Sequence, residues 1–343
     1  MKYLFCFLFA LAFCAQKADV YFTKEITSQA IVKLFDKLNV KLSGKIGLKV
    51  HSGEPYNNYF LHPELLQDIY EHTGGTFIEC NVAYPSERGK TETHIKQLEE
   101  IGWLENNRRF QILDEDPNQD VQITLSNYNK IDRNYVGQHL TEYDSCVVLA
   151  HFKGAPLGFG GSLKQLSIGF STPKGKCLIH STGASIENPF PMGTDDDFTA
   201  SMADAASYIV EYFKKKGGIV YINVIANISE NCDCDRGPAA PQIRDIGIMA
   251  STDPVAIDKA SLDLIRLTND PGTNSLLENI RNHVGENIFI YSERLGIGST
   301  EYNLINVDND TDNNTDSDTD NNTGSNIFIS FSFGLIFLLL LLL

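Results

Sequence analysis

Basic side chains are scarce in this 343-residue chain, with 28 lysines and arginines against 44 aspartates and glutamates and a formal net charge of −16. Six of those charges are aspartates of one polar stretch (Asp308, Asp310, Asp312, Asp316, Asp318 and Asp320), which leaves −10 for the rest. Phosphate backbones are held by basic patches, so an acidic body excludes nucleic acid as a partner. Cysteine is scarce too. Of seven cysteines, Cys6 and Cys14 lie in a leading apolar run. Cys80, Cys146, Cys177, Cys232 and Cys234 remain, an odd and sparse set for a disulfide scaffold. A body of roughly 290 residues buries a large core without such staples. Internal repeats are lacking, and no break in composition demands two domains, although the length leaves room for two lobes.

Both ends stand apart from the body. Residues 1–15 read as a signal peptide: Lys2 supplies the positive start, Tyr3 to Phe13 is unbroken apolar sequence, and small residues follow with cleavage after Cys14 or Ala15. A buried N-terminal helix would need a polar face, which this run does not have. Residues 327–343 are apolar apart from Ser330, Ser332 and Gly334 and end in a string of leucines. That run sits at the short limit for a membrane-spanning helix, about 17–25 residues, and no Lys or Arg follows it. An apolar tail ending flush with the chain behind a polar spacer is the layout of a glycolipid-anchor signal, with Ser317 as the attachment residue. A terminal membrane helix is the other reading. Residues 308–326, almost wholly Asp, Asn, Thr and Ser, bury nothing and read as a disordered stalk. Asn309, Asn313 and Asn321 each begin a glycosylation acceptor there, and Asn227 begins another behind a β-like run expected to shield it. The expectation is a secreted protein tethered to the outer face of the cell membrane, touching the membrane through its tail.

The body, residues 16–307, alternates strand-like and helix-like segments. Strand patterns cover Ala18–Thr23, Lys45–Val50, Thr76–Cys80, Ser145–Ala150, Gly218–Ile228 and Ile246–Ala250. Two more, Phe110–Leu113 and Val121–Leu125, flank the acidic turn Asp114–Asp120. Helical periodicity covers Thr27–Leu38, Pro63–His72, Lys90–Ile101, Asp196–Lys216 and Asp253–Leu267. Ser145–Ala150 is continuously apolar, as expected of a strand covered on both faces. This predicts an α/β fold, a doubly wound and mostly parallel sheet with helices on both faces. Sites in such folds form where loops leave the carboxyl ends of strands. The loops His51–Asn58, His151–Lys164 and Asn231–Arg244 fit that position.

Each loop is rich in functional residue types. His151–Lys164 holds Gly154, Gly158, Gly160 and Gly161, whose backbone lets a ligand approach closely and whose amides can cradle an anion. His151, Lys153 and Lys164 add charge and proton chemistry and are the candidate catalytic residues, with Lys164 also in contact with an anionic ligand or cofactor. A mobile glycine turn with solvated lysines is the plain alternative. Cys232 and Cys234, two apart, can ligate a soft metal or pair as a disulfide, and one such pair needs helpers to complete a tetrahedral site. His51 and Glu54 are candidate metal ligands or an acid–base pair.

The segments Lys49-Val-His-Ser-Gly-Glu54, Tyr143-Asp144, His151-Phe-Lys-Gly154, Gly158-Phe-Gly-Gly-Ser-Leu-Lys164, Cys232-Asp-Cys234, Asp245-Ile-Gly247 and Ser251-Thr-Asp-Pro-Val-Ala256 together resemble the domain of unknown function 362 family. Its members are often described as iron–sulfur centre proteins, and many carry a ferredoxin insert after the Gly-rich region. Here Gly175–Phe198 holds only Cys177, so a ferredoxin-type cluster is not expected. The Gly158–Lys164 stretch is also similar to the Gly-Phe-Ser-Gly-Gly-x-Lys segment of nickel-dependent lactate racemases. There the lysine holds a nickel-pincer cofactor and a later histidine ligates nickel. That resemblance implies Lys164 as the cofactor lysine and His180, sixteen residues on, as a ligand. His151 lies three residues further upstream than the matching histidine would. The expected function is an enzyme-like cofactor, metal or anion site, or a non-catalytic surface binding protein on an old enzyme fold.

Overall fold

Strands arise where β-branched runs can serve two cores at once, and Ser145–His151 shows how. In the computed structural model, which describes residues 17–308 apart from 189, 191, 231 and 236, every residue of that strand is buried. Its alternate side chains point to opposite faces. Val147 and Leu149 share one core with Ile31, Leu34, Ile69 and Leu98, while Cys146 and Val148 share another with Ile209, Phe213 and Ile257.

The strands in chain order are β1 (Ala18–Thr23), β2 (Ile46–Lys49), β3 (Thr76–Glu79), β4 (Phe110–Ile112), β5 (Val121–Thr124), β6 (Arg133–Val136), β7 (Ser145–His151), β8 (Lys153–Ala155), β9 (Gly158–Gly160), β10 (Gly218–Ile225), β11 (Gly247–Ser251) and β12 (Tyr302–Asn306). The helices are α1 (Ser28–Lys37), α2 (Gln67–Thr73), α3 (Thr91–Glu100), α4 (Ser162–Lys164), α5 (Pro173–His180), α6 (Asp195–Lys214), α7 (Pro254–Arg266), α8 (Thr273–Asn282) and α9 (Asn287–Arg294). Eight strands form one sheet in the order β12-β1-β11-β10-β7-β2-β3-β4. β11 is antiparallel to both neighbours, and the other pairings are parallel. Helices α1, α2 and α3 cover one face, and α6 and α7 cover the other. The fold is therefore α/β and doubly wound, with a mostly parallel sheet.

The order of filling positions the site. The chain lays down β2, β3 and β4 outward in one direction, then returns to place β7 and β10 on the opposite side of β2. The reversal falls between β2 and β7, and a crevice opens at their carboxyl ends. The loops after β2, β7 and β10 all emerge there.

Both strands expected around the acidic turn are present, β4 in the central sheet beside β3 and β5 in a separate ribbon with β6. Other details differ from the sequence expectation. β11 turns back against β10 because the segment between them contains no helix to carry a parallel crossover. The helix expected at Pro63–His72 opens with a 3₁₀ turn, Pro63–Leu66, before α2. Asn227 is exposed rather than shielded. The signal peptide at 1–15, Asn309, Asn313, Asn321, Ser317 and the tail at 327–343 lie outside the described residues. Among the described residues no helix is long and apolar enough to cross a membrane.

Candidate functional site

The crevice deepens into a cavity of about 340 Å³ whose lining includes His51, His151, Lys153, Gly160, Gly161, Lys164, His180, Cys232 and Cys234. The three loops singled out from the sequence thus meet around one space. Glu54 does not line it.

Lys164 ends α4, and a π-helical turn, Gln165–Gly169, follows directly. Asp258 of α7 anchors this region: its carboxylate accepts the N–H of Ser162 at 2.8 Å and of Leu163 at 2.9 Å. Lys164 is half-buried and its Nζ lies 3.3 Å from Cys232 Sγ. Burial disfavours the ammonium, yet the sulfurs of Cys232 and Cys234 raise its pKa above the usual lysine value. Cys232 is held well below the ordinary thiol value. The hydrogen bond from Cys234 is the leading cause; Lys164 and a hydrogen bond from His51 add to it against the opposing effect of burial. Cys234 moves the other way, because its S–H is committed to Cys232. Their hydrogen bond thus favours the charged form of Cys232 over that of Cys234, and both cysteines are free.

His151 and Lys153 act on the Cys-x-Cys loop rather than on the cavity centre. His151 Nε2 donates to the Ala226 carbonyl at 2.7 Å, and its Nδ1 faces Asp233 Oδ1 at 2.9 Å. Both ring nitrogens face oxygen acceptors, so neither is left over for a ligand. Lys153 Nζ pairs with the other oxygen of Asp233. Burial opposes the Asp233 charge, but His151 and Lys153 hold its carboxyl well below the usual range. Asp233, 1% exposed, is the pin that fixes the two cysteines. The β8–β9 hairpin closes on the same loop. Gly154 N–H donates to Ser229 O at 2.8 Å, and a Cβ at Gly154 would lie 2.1 Å from the Glu230 carbonyl oxygen. Gly158, at φ +122°, makes the hairpin turn possible.

On the β2 side, His51 Nδ1 accepts the Gly53 N–H at 3.1 Å. Burial and the Arg88 guanidinium lower its pKa. Glu54 instead accepts from Arg88 Nε at 3.0 Å, Ser86 Oγ at 3.0 Å and Tyr84 O–H at 3.1 Å. Arg88, 1% exposed, also reaches Glu79 at 3.2 Å. Burial works against the Glu79 charge, but Arg88 and His94 hold it down. His180 ends α5. Its Nδ1 donates to the Lys176 carbonyl at 2.8 Å, and its ring packs on Phe198. Burial lowers its pKa, with Lys164 and Lys176 contributing, and its side chain lines the cavity.

The sequence model of the family described as Domain of unknown function (DUF362) matches residues 46–263, from β2 into α7 and across all three loops. This chain belongs to the domain of unknown function 362 family. No curated protein matches the chain. Among solved structures, a protein from Thermotoga maritima is 14% identical over 78% of this chain and 58% of its own, with a TM-score of 0.39. The lactate racemase apoprotein from Thermoanaerobacterium thermosaccharolyticum is 15% identical over 60% of this chain and 50% of its own, with a TM-score of 0.38. The family member thus spans between half and three fifths of these chains, and at such scores neither bears on its chemistry.

The metal reading finds no ready donor set in this family member. Among the described residues, no group of three or more His, Cys, Asp or Glu side chains stands close enough to hold a metal ion. Cys80 donates its S–H to the Phe170 carbonyl, and burial pushes its thiol pKa up. Glu54 is drawn away by Arg88. Asp233, Asp258, Glu79, Arg88, Lys49 and Lys176 escaped the sequence reading. Asp233 was visible only as the middle of Cys-Asp-Cys and Lys49 only as the start of Lys49-Val-His-Ser-Gly-Glu54, and the others carried no local signal.

Proposed function

We propose that this family member is a secreted, surface-tethered enzyme whose active site is the cavity between β2, β7 and β10. Cys232 is its nucleophile, acting on a small anionic substrate. The observation that carries this is the Lys164 ammonium 3.3 Å from Cys232 Sγ inside that cavity. A thiolate, not a thiol, is the nucleophile, and adjacent cations are what generate one at neutral pH. Lys164 stabilises the sulfur and attracts an anionic substrate to it. His180 and Cys234 line the same cavity as candidate proton-carrying groups. His151, Lys153 and Asp233 position the cysteine loop. The secretion and tethering rest on the apolar ends and polar stalk of the sequence.

Alkylation by iodoacetamide at about pH 6.5, read peptide by peptide, tests the nucleophile. Cys232 should react first in the native protein. Cys146, whose thiol burial pushes up to about 12, should stay unmodified, and Lys164→Met should slow Cys232 at least about tenfold. A Cys232 that reacts no faster than Cys146 would leave the cavity as a binding site alone.

A further inference from the structure

Cys232 and Cys234 stand two apart, and the fold brings both of them to one cavity. The Asp235 N–H donates to the Cys232 carbonyl at 2.9 Å. That bond closes a tight turn with Cys232 at its first position and Cys234 at its third. Both cysteines line the cavity, whereas Asp233 between them does not. The Asp233 carboxylate is engaged by His151 and Lys153, which fixes the orientation of its two neighbours. The two sulfurs lie within hydrogen-bonding reach of each other. Residues two apart in a turn hold their Cα atoms inside the separation that a disulfide spans.

The two sulfurs are not equivalent. Lys164 Nζ lies 3.3 Å from Cys232 Sγ, and Cys232 is buried while Cys234 is partly exposed. A sulfur charged by an adjacent cation attacks first, and an accessible neighbour resolves the product. The other cysteines of the body are poor substitutes for Cys234. Cys80 lines the cavity too, but its S–H is donated to the Phe170 carbonyl at 3.4 Å. Cys146 and Cys177 do not line the cavity. A bridge inside a turn closes a small ring, and tight disulfides are the readily reduced, exchanging kind. The cavity wall offered to a substrate is largely apolar, with Val82, Leu157, Phe159, Ile168, Phe198 and Met202.

We infer that Cys232 and Cys234 form a dithiol–disulfide couple that exchanges with a low-molecular-weight disulfide entering the cavity, Cys232 attacking and Cys234 resolving. This rests on the reading of Cys232 as the nucleophile and names the bond on which it acts. The Cys232 thiolate attacks one sulfur of the substrate and the substrate S–S bond breaks. A mixed disulfide forms, and the first half of the substrate leaves as a thiolate. Cys234 gives its proton to that thiolate, and its sulfur attacks Cys232 Sγ. The mixed disulfide breaks, the Cys232–Cys234 bond forms, and the second half leaves and takes a proton from water. The two cysteines lose two electrons and the substrate disulfide gains them, ending as two thiols. The substrate is itself the oxidant, and thiols of the same class reverse the reaction.

The reduced full chain, freed of reductant and mixed at about pH 7 with a small excess of dithiobis(nitrobenzoate), an aromatic disulfide, tests this. The natural protein should release both halves of one reagent molecule as thionitrobenzoate. It should end without an adduct and lighter by two hydrogens in mass spectrometry, with peptide mapping joining Cys232 to Cys234. Cys234→Ser should release one half and keep the other bound to Cys232. Cys232→Ser should slow the release at least about tenfold. Two bound adducts with no internal bond, a bridge from Cys232 to Cys80, or a release that Cys232→Ser leaves unchanged would overturn the couple. Fast alkylation of Cys232 by iodoacetamide beside a persistent mixed disulfide in the natural protein would end the resolving role of Cys234 and leave the nucleophile standing. Slow alkylation of Cys232 would end both.

Discussion

Asp258 anchors the turn that carries Lys164, and replacing it yields a signed pH dependence. Its carboxylate, 0% exposed, accepts Ser162 N–H at 2.8 Å, Leu163 N–H at 2.9 Å and Asn223 Nδ2–H at 2.8 Å. Burial pushes its pKa from 3.8 up to about 6, although those hydrogen bonds pull it down. For a carboxyl raised in the folded state, the stabilising contribution is fully present below the unfolded value and is lost as pH rises through about 6. The shift corresponds to about 3 kcal/mol. Asp258→Asn cannot ionise, so between about pH 4 and pH 7 its unfolding free energy should gain about 3 kcal/mol relative to the natural protein. Its amide NH₂ meets one of the three donors, which costs about 1–3 kcal/mol at every pH. The variant should therefore be weaker at about pH 4 and equal or stronger at about pH 7. Asp258→Ala leaves three buried donors unpaired at about 1–3 kcal/mol each, so even after charge relief the net loss at neutral pH should be about 3 kcal/mol. Urea unfolding at several pH values measures both. Parallel curves for Asp258→Asn and the natural protein would refute the reasoning.

Arg88→Met should cost about 3–5 kcal/mol, because it strands Glu54 and Glu79 in the interior without their shared guanidinium; urea midpoints measure it, and a loss under about 1 kcal/mol would show that the two carboxylates find other partners. Phospholipase treatment of intact cells should release the body, and retention together with intact C-terminal leucines by mass spectrometry would sink the glycolipid anchor.

The sequence by itself determined the α/β class, the doubly wound sheet and which three loops share its carboxyl edge. These follow from local quantities: the period of apolar residues and the unbroken apolar run of Ser145–Ala150, which only a strand covered on both faces can bury. It also placed Lys164, Cys232 and Cys234 in those loops, because glycines and paired thiols are conspicuous where they stand. Tertiary structure alone decided the division of roles. His151 looked like an acid–base group from its position, but its two nitrogens are consumed by Ala226 and Asp233, residues more than seventy positions away. Glu54 looked like a ligand until Arg88 drew it out of the cavity. Burial and partner geometry are sums over the whole fold, and no local window of sequence contains them.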